Sequence, residues 1–325
     1  MGRPHLPGVW YLKTGAFMGI LPDRHRNHTV AFLSELAGTF LFLFFALSIV
    51  QVVHTPPPTG GSGSPPDVLG IYLISVGFGT SVAVNVWLFY RVSGGMFNPA
   101  VTFTLFLIGA VPAGRAVVVI AAQIIGAIAA SAVVSGLFPG PMVVNCRLGG
   151  DTSIARGLFI EMFCTTQLVF TVIMLAAVKH KATYLAPLGI GLALFIGNMC
   201  SVYYSGAGIN PARAFGPDVV NHSFPGYHWI YWVGPLLGSL LAAFFYYLLE
   251  AFDWRSANPG QDFDDLETQM ITPEKKTDRP NVAHGALHGN LPGANAEKER
   301  GTGVPSLEGL NGLRPSKSTQ DTQPE

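Results

Sequence analysis

Six apolar segments, each about 20 residues long, recur along this chain and constrain its fold more than any other feature. They lie at about 29–50, 69–90, 113–136, 157–178, 185–204 and 228–251. A helix of that length crosses the hydrocarbon core of a bilayer, and only 12% of the residues are charged, far fewer than in a typical soluble domain. The sequence therefore predicts an all-α membrane protein with six transmembrane helices.

The chain divides into three parts by composition. Residues 1–28 form an N-terminal arm that lacks the continuous apolar core of a signal peptide, and residues 29–251 contain the six spans. From residue 252 onward the sequence is polar and rich in Gly and Pro, so it cannot bury enough apolar surface to fold alone. We expect residues 252–325 to be a disordered tail.

Lysine and arginine are concentrated on one side of the predicted helices, and positive charge marks the cytoplasmic side of a membrane protein. That side carries Lys13, Arg24, Arg26, Arg91, Arg115, Lys179, Lys181 and Arg255. The other side carries Arg147, Arg156 and Arg213. Both termini are therefore predicted to be cytoplasmic.

Two shorter stretches, at about 98–107 and 210–219, are roughly half the length needed to cross a bilayer, and both begin with Asn-Pro-Ala. Asn caps helix N-termini, and Pro is favoured at the first helical position, so each stretch should start a short re-entrant helix. Non-helical backbone at membrane depth is tolerated where it lines a cavity. The candidate residues are Asn98, Pro99, Ala100, Asn210, Pro211 and Ala212, and the two alanines are small enough to let the helix tips meet.

The two halves of the membrane region, about 29–136 and 157–251, repeat a common pattern. Glu35 and Glu161 each begin Glu-x-x-x-Thr and precede their own SG-x-x-x-NPA. Each half has three spans, so the repeats must be inverted in the membrane. Because an unpaired carboxylate there is costly, we interpret both glutamates as acceptors for backbone N–H groups of the non-helical loops. The alternative is an exposed glutamate at the interface.

Two helix N-termini that converge at the midplane carry partial positive charge and oppose the passage of cations. The amides of Asn98 and Asn210 can donate hydrogen bonds to a passing oxygen, which would then be unable to accept a proton along a file of water. Arg213 lies three residues after Asn210, on the same helix face, and a charge at this depth usually lines a water-filled path. The alternative is an arginine that reaches the outer interface.

These motifs resemble those of the major intrinsic protein family, the aquaporins and glycerol facilitators, over about residues 29–251, and are most like an orthodox fungal water channel. The resemblance implies an aquaporin-like fold and a homotetramer in the plasma membrane. It also implies passive transport of water, with no chemical step and no cofactor. The family's selectivity filter corresponds here to Phe78, Asn198, Ala207 and Arg213.

The filter residues leave the transported solute open. Phe78 matches water channels, whereas Asn198 stands where water-selective members usually have His and glycerol facilitators usually have Gly. A facilitator of hydrogen peroxide or glycerol is therefore the main alternative, followed by an ion-coupled transporter and a non-transporting adhesion protein. Asp218 also departs from the small residue usual in the family, and the sequence indicates no role for it.

Other classes of partner are not indicated. The formal net charge is zero, so nothing favours nucleic acid as a partner. The three cysteines, Cys146, Cys164 and Cys200, have neither metal-ligand nor disulfide-framework spacing. Water, small neutral solutes and the lipid bilayer are the expected partners.

Overall fold

The computed structural model describes residues 22–54 and 67–258. Most of the predicted arm at 1–28 and most of the predicted tail at 252–325 lie outside these residues. The described part of the tail includes one short helix, Trp254–Ala257.

The described residues are helical and contain no strand. Six long helices, α1 (Asp23–Val53), α2 (Val68–Phe89), α4 (Ala113–Leu137), α5 (Ile154–Val172), α6 (Ala186–Ser205) and α8 (Ile230–Ala251), coincide with the predicted spans. Two short helices, α3 (Pro99–Leu107) and α7 (Pro211–Val220), occupy the predicted re-entrant stretches, and α9 is the short Trp254–Ala257. The predicted all-α fold is confirmed.

The helix boundaries differ from the apolar segments at a few ends. Helix α1 begins at Asp23, six residues before the predicted span, and its first turn contains an ion pair between Asp23 and Arg26 at 2.6 Å. Hydropathy locates the apolar crossing and not the polar turn that precedes it. Helix α5 passes into one π-helical turn over Ile173–Ala177, and a 3₁₀ turn over Lys181–Leu185 leads into α6.

The packing of the helices repeats between the halves. Helix α1 packs along α4 as α5 packs along α8, and α2 packs against α6 between the halves. Each short helix also packs on the last long helix of the opposite half, α3 on α8 and α7 on α4. This exchange holds the tips of α3 and α7 at the centre of the bundle.

Close helix approach in the two halves depends on glycine. A Cβ atom on Gly126 of α4 would lie 2.7 Å from the carbonyl oxygen of Leu36 on α1. A Cβ atom on Gly238 of α8 would lie 2.5 Å from the carbonyl oxygen of Met162 on α5. Both pairs of helices are therefore in backbone contact, as small residues permit in membranes.

Candidate functional site

The short helices α3 and α7 begin at equivalent asparagine caps. The Asn98 side-chain oxygen accepts a hydrogen bond from the Ala100 backbone N–H at 2.9 Å. The Asn210 side-chain oxygen accepts one from the Ala212 N–H at 3.0 Å. Pro99 and Pro211 each occupy the first helical position, where a missing N–H costs nothing.

The two caps are also joined to each other's loops. Asn98 Nδ2 donates to the Ile209 carbonyl at 3.1 Å, and Asn210 Nδ2 donates to the Phe97 carbonyl at 2.9 Å. A primary amide has two N–H donors, so each asparagine keeps a second donor besides this cross-link. Both asparagines line the same cavity, which makes the second donors available to a molecule inside it.

Glu35 holds the loop that precedes α3. Its carboxylate, fully buried, accepts from Ser93 Oγ at 2.6 Å and from the backbone N–H groups of Met96 and Phe97 at 3.0 and 2.9 Å. Gln123 Nε2 donates a further hydrogen bond to it at 3.0 Å. A carboxylate with four donors satisfies the loop amides without leaving a bare charge in the membrane.

Glu161 occupies the equivalent position before α7. It accepts from Ser205 Oγ at 2.6 Å and from the backbone N–H groups of Gly208 and Ile209 at 2.8 and 2.5 Å. Ile209, like Phe97 in the other half, has a positive φ angle, 53° against 48°. Such backbone costs about 1–3 kcal/mol, and the carboxylates hold it in place.

A cavity of about 410 Å³ lies within the described bundle. Its lining includes Tyr90 and Lys179 at one end, Asn98 and Asn210 along its course, and Arg213 at the other end. The remaining lining is largely apolar and includes Phe42, Val82 and Leu168. An apolar tube with few polar contacts offers a passing molecule little binding.

The Arg213 guanidinium lies at the other end from Lys179, and only 3% of the residue is exposed. Its Nη1 donates to the Val144 carbonyl at 2.9 Å, and its Cζ lies 5.2 Å from the centre of the Phe78 ring. The buried Nε has no hydrogen-bond partner among the described residues. The Val144 carbonyl and the Phe78 ring therefore hold the guanidinium in place.

Three of the four predicted filter residues line the cavity, namely Phe78, Ala207 and Arg213. Asn198 is buried next to them but does not belong to the lining that the described residues form. Its Nδ2 donates to the Leu194 carbonyl of its own helix at 2.9 Å, and its Oδ1 has no partner in the described part of the chain. Asn198 is thus drawn back from the lumen.

Two further polar groups adjoin the cavity ends and were not singled out as site residues by the sequence. Lys179 Nζ donates to Tyr90 Oη at 2.9 Å at one end. At the other end, Asp218 is paired with Arg147 and His228. In the sequence, the only indication of these groups is that Asp218 departs from the family pattern.

A sequence model described as "Major intrinsic protein" matches residues 24–246, which include both asparagine caps and all or most of each long helix. The chain belongs to the major intrinsic protein family. Members of this family are channels and not enzymes, and with six apolar helices this chain is an integral membrane protein.

Fungal members of the family are similar over most of this chain. "Aquaporin-7" of Botryotinia fuckeliana (strain B05.10) is 52% identical over 266 residues, which cover 81% of this chain and 58% of that protein. "Aquaporin-1" of Gibberella zeae (strain PH-1) is 48% identical over 245 residues, covering 75% of this chain and 77% of that protein. This chain thus spans less than two thirds of the Botryotinia protein.

Solved structures of the family share the fold. The X-ray structure of the aquaglyceroporin from Plasmodium falciparum superposes with a TM-score of 0.59 at 22% identity, over 67% of this chain and 95% of that chain. This chain accordingly shares the fold of that structure, which here consists of six long and two short helices.

Proposed function

We propose that this chain forms a passive water channel that excludes ions and protons. We place it in the plasma membrane as a homotetramer with both termini cytoplasmic. The observation that carries the proposal is the pair of asparagine caps on one cavity, each with a free N–H donor, at the N-termini of two opposed helices. Those N-termini oppose cations by their partial positive charge.

Proton exclusion follows from the hydrogen bonds of a single water. A water molecule that accepts from both Asn98 and Asn210 has its two lone pairs occupied, so it cannot accept a proton from its neighbour in the file. The cross-links to Ile209 and Phe97 keep both amides in place as water passes. Proton exclusion therefore requires no conformational change.

At the end of the cavity near Arg213, solutes are selected a second time. The guanidinium lies over the Phe78 ring, with 5.2 Å between Cζ and the ring centre, so a solute at this end meets a fixed cation next to an apolar ring. The guanidinium repels a hydrated cation at this end, whereas it does not repel neutral water.

The second candidate function is the facilitated passage of slightly larger neutral solutes, such as hydrogen peroxide or glycerol. Asn198 favours it, because its amide is bonded back to Leu194 and leaves the lumen wider than a side chain that reached inward. Ala207, which lines the cavity, adds little bulk. Selectivity between water and these solutes therefore depends on the width at Asn198.

Proteoliposomes in a stopped-flow light-scattering instrument separate the two functions. We expect the purified chain to accelerate water efflux strongly and glycerol entry weakly, without any ion gradient. Fast glycerol flux would favour the facilitator, and flux that requires an ion gradient would favour a coupled transporter. A folded protein that adds no water permeability would contradict the channel proposal.

Asn198→His supplies the matched variant for this measurement. The larger imidazole extends further from α6 into the filter, so we expect any glycerol flux to fall while water flux persists. Asn198→Gly should have the opposite effect, because it removes the side chain altogether. Equal glycerol-to-water ratios in all three proteins would show that position 198 does not set the width.

A further inference from the structure

A buried acid lies beside the filter without lining the cavity of the described bundle. Asp218 is on α7, the same short helix as Arg213, and none of its side chain is exposed. Its Oδ1 accepts from Arg147 Nη1 at 2.8 Å and from Asn145 Nδ2. Its Oδ2 accepts from His228 Nδ1 at 2.7 Å. Three side chains from two other segments therefore converge on one carboxylate.

The histidine partner serves as a neutral donor in this arrangement. Trp232 Nε1 donates to His228 Nε2 at 3.3 Å, so Nε2 acts as an acceptor and the ring proton is on Nδ1, facing Asp218. The cation that balances the carboxylate is then Arg147, whose side chain is 34% exposed. Asp218 is bonded to the residues just before α8 through His228 and to the connection between α4 and α5 through Arg147.

That connection, residues 138–153, also contacts the filter. The Val144 carbonyl accepts the hydrogen bond from Arg213 Nη1 at 2.9 Å. Asn145 follows Val144 directly, and Arg147 Nη1 bonds both Asp218 and the Cys146 carbonyl, the latter at 2.7 Å. The backbone that contacts Arg213 is thus fastened to Asp218 within three residues.

The segment after α7 strengthens the same attachment. Arg147 Nη2 donates to the Ser223 carbonyl at 2.8 Å, and Asn221 Nδ2 donates to the Met142 carbonyl at 3.0 Å and to Asn145 Oδ1. These hydrogen bonds anchor the connection on both sides of Val144. Its position is therefore determined by α7 and the residues that follow it.

The equivalent position in the first half is not an acid. The position that stands in α3 as Asp218 stands in α7 is Phe106, eight residues after Asn98, and it is 40% exposed. The half that contains Arg213 has the buried acid at this position. The half that has Val101 at the position of Arg213 does not. This asymmetry associates Asp218 with the filter and not with the half-helix itself.

We propose that Asp218 is a positioning residue for the filter: through Asn145 and Arg147 it fixes the Val144 carbonyl, which holds the Arg213 guanidinium over Phe78. The inference rests on the proposed channel function. Without the carboxylate, Arg147 loses its buried partner, the connection shifts, and Arg213 loses the acceptor that orients it. The filter then admits larger neutral solutes more readily.

The test is the ratio of glycerol to water permeability in proteoliposomes that contain equal amounts of folded protein. We expect Asp218→Asn to raise the ratio by about tenfold, which corresponds to about 1.4 kcal/mol in relative barrier height. Asp23→Asn, which removes an exposed acid from the first turn of α1, is the matched control and should leave the ratio unchanged. Arg147→Met tests the same link from its exposed end and should raise the ratio to a smaller extent.

A double-variant cycle distinguishes positioning from general damage. Arg213→Ala alone should raise the ratio, and adding Asp218→Asn to it should cause no further rise, because the residue that Asp218 positions is absent. Unchanged ratios in Asp218→Asn and Arg147→Met, or an additive effect in the Arg213→Ala background, would overturn the inference. Wild-type protein that conducts no water would instead refute the proposed function.

Discussion

Phe97 and Ile209 have positive φ angles, and each donates its backbone N–H to a buried glutamate. At the scale of single residues, the centre of the candidate pore thus depends on acceptors for amides that no helix can satisfy. Glu35 and Glu161 supply them, and the asparagine caps satisfy the next amides along the chain. Each of these groups is polar because a neighbouring backbone group would otherwise be unpaired in the membrane.

Replacing either glutamate with glutamine should destabilise the fold. The new amide group presents an N–H donor where a backbone N–H needs an acceptor, which costs about 1–3 kcal/mol. We expect Glu35→Gln and Glu161→Gln to lower the thermal unfolding midpoint in detergent. Glu250→Gln, at a partly exposed pair with Arg255, is the control and should cost about 1 kcal/mol or less. Equal midpoints in all variants would contradict this account.

The cysteines lead to a prediction about thiol reagents. Burial raises the pKa of the Cys146 thiol to about 12, so at neutral pH the group stays protonated and unreactive. Ala207, by contrast, lines the cavity. We expect mercurials to leave wild-type water flux unchanged and to block Ala207→Cys reversibly, with Ala207→Ser as the unreactive control. Block of the wild-type protein would show that one of its own thiols reaches the pore.

At the scale of helices, the close contacts at Gly126 and Gly238 determine how near α1 lies to α4 and how near α5 lies to α8. Helix α4 supports α7 and helix α8 supports α3, so these contacts also locate the two asparagine caps. A change in helix separation would therefore be transmitted to the pore centre.

Alanine at these glycines should be harmful in spite of its small size. Gly126→Ala and Gly238→Ala place a Cβ within 3 Å of a backbone carbonyl oxygen, and overpacking of this kind costs about 1–3 kcal/mol. We expect lower unfolding midpoints and reduced water permeability. Gly136→Ala, in the same helix as Gly126 but with open space around it, should keep or raise the midpoint. A midpoint for Gly126→Ala as high as for Gly136→Ala would be inconsistent with backbone contact.

At the scale of the whole molecule, each half contributes one asparagine cap to the proposed barrier at the pore centre. Aspartate retains the N-cap function of asparagine but removes the Nδ2 donor and adds negative charge at the helix N-terminus. We expect the double variant Asn98→Asp/Asn210→Asp to conduct protons more than the two single variants together. A pH-sensitive dye inside proteoliposomes measures this leak. Proton flux no greater than in wild type would argue against an electrostatic barrier.

The long helices and the re-entrant helices could be predicted from the sequence because each depends on local composition: apolar length for the spans, and Asn-Pro for the short starts. The roles of Asn198 and Asp218 could not be predicted in the same way. The residue type of Asn198 does not indicate whether its side chain points into the cavity or bonds back to its own helix. Asp218 pairs with residues more than 70 positions away, in a connection without periodicity.

The cross-links at the pore centre bear on how the protein is made. Asn98 bonds to Ile209, a residue 111 positions later, and Asn210 bonds back to Phe97. When the first half has entered the membrane during translation, the second half is not yet present. The Asn98 amide then lacks its acceptor, and the Phe97 carbonyl lacks its donor. The centre of the proposed pore can therefore be completed only after residues 209 and 210 have been made, and a nascent chain stalled after the first half contains no finished pathway through which the cell could leak.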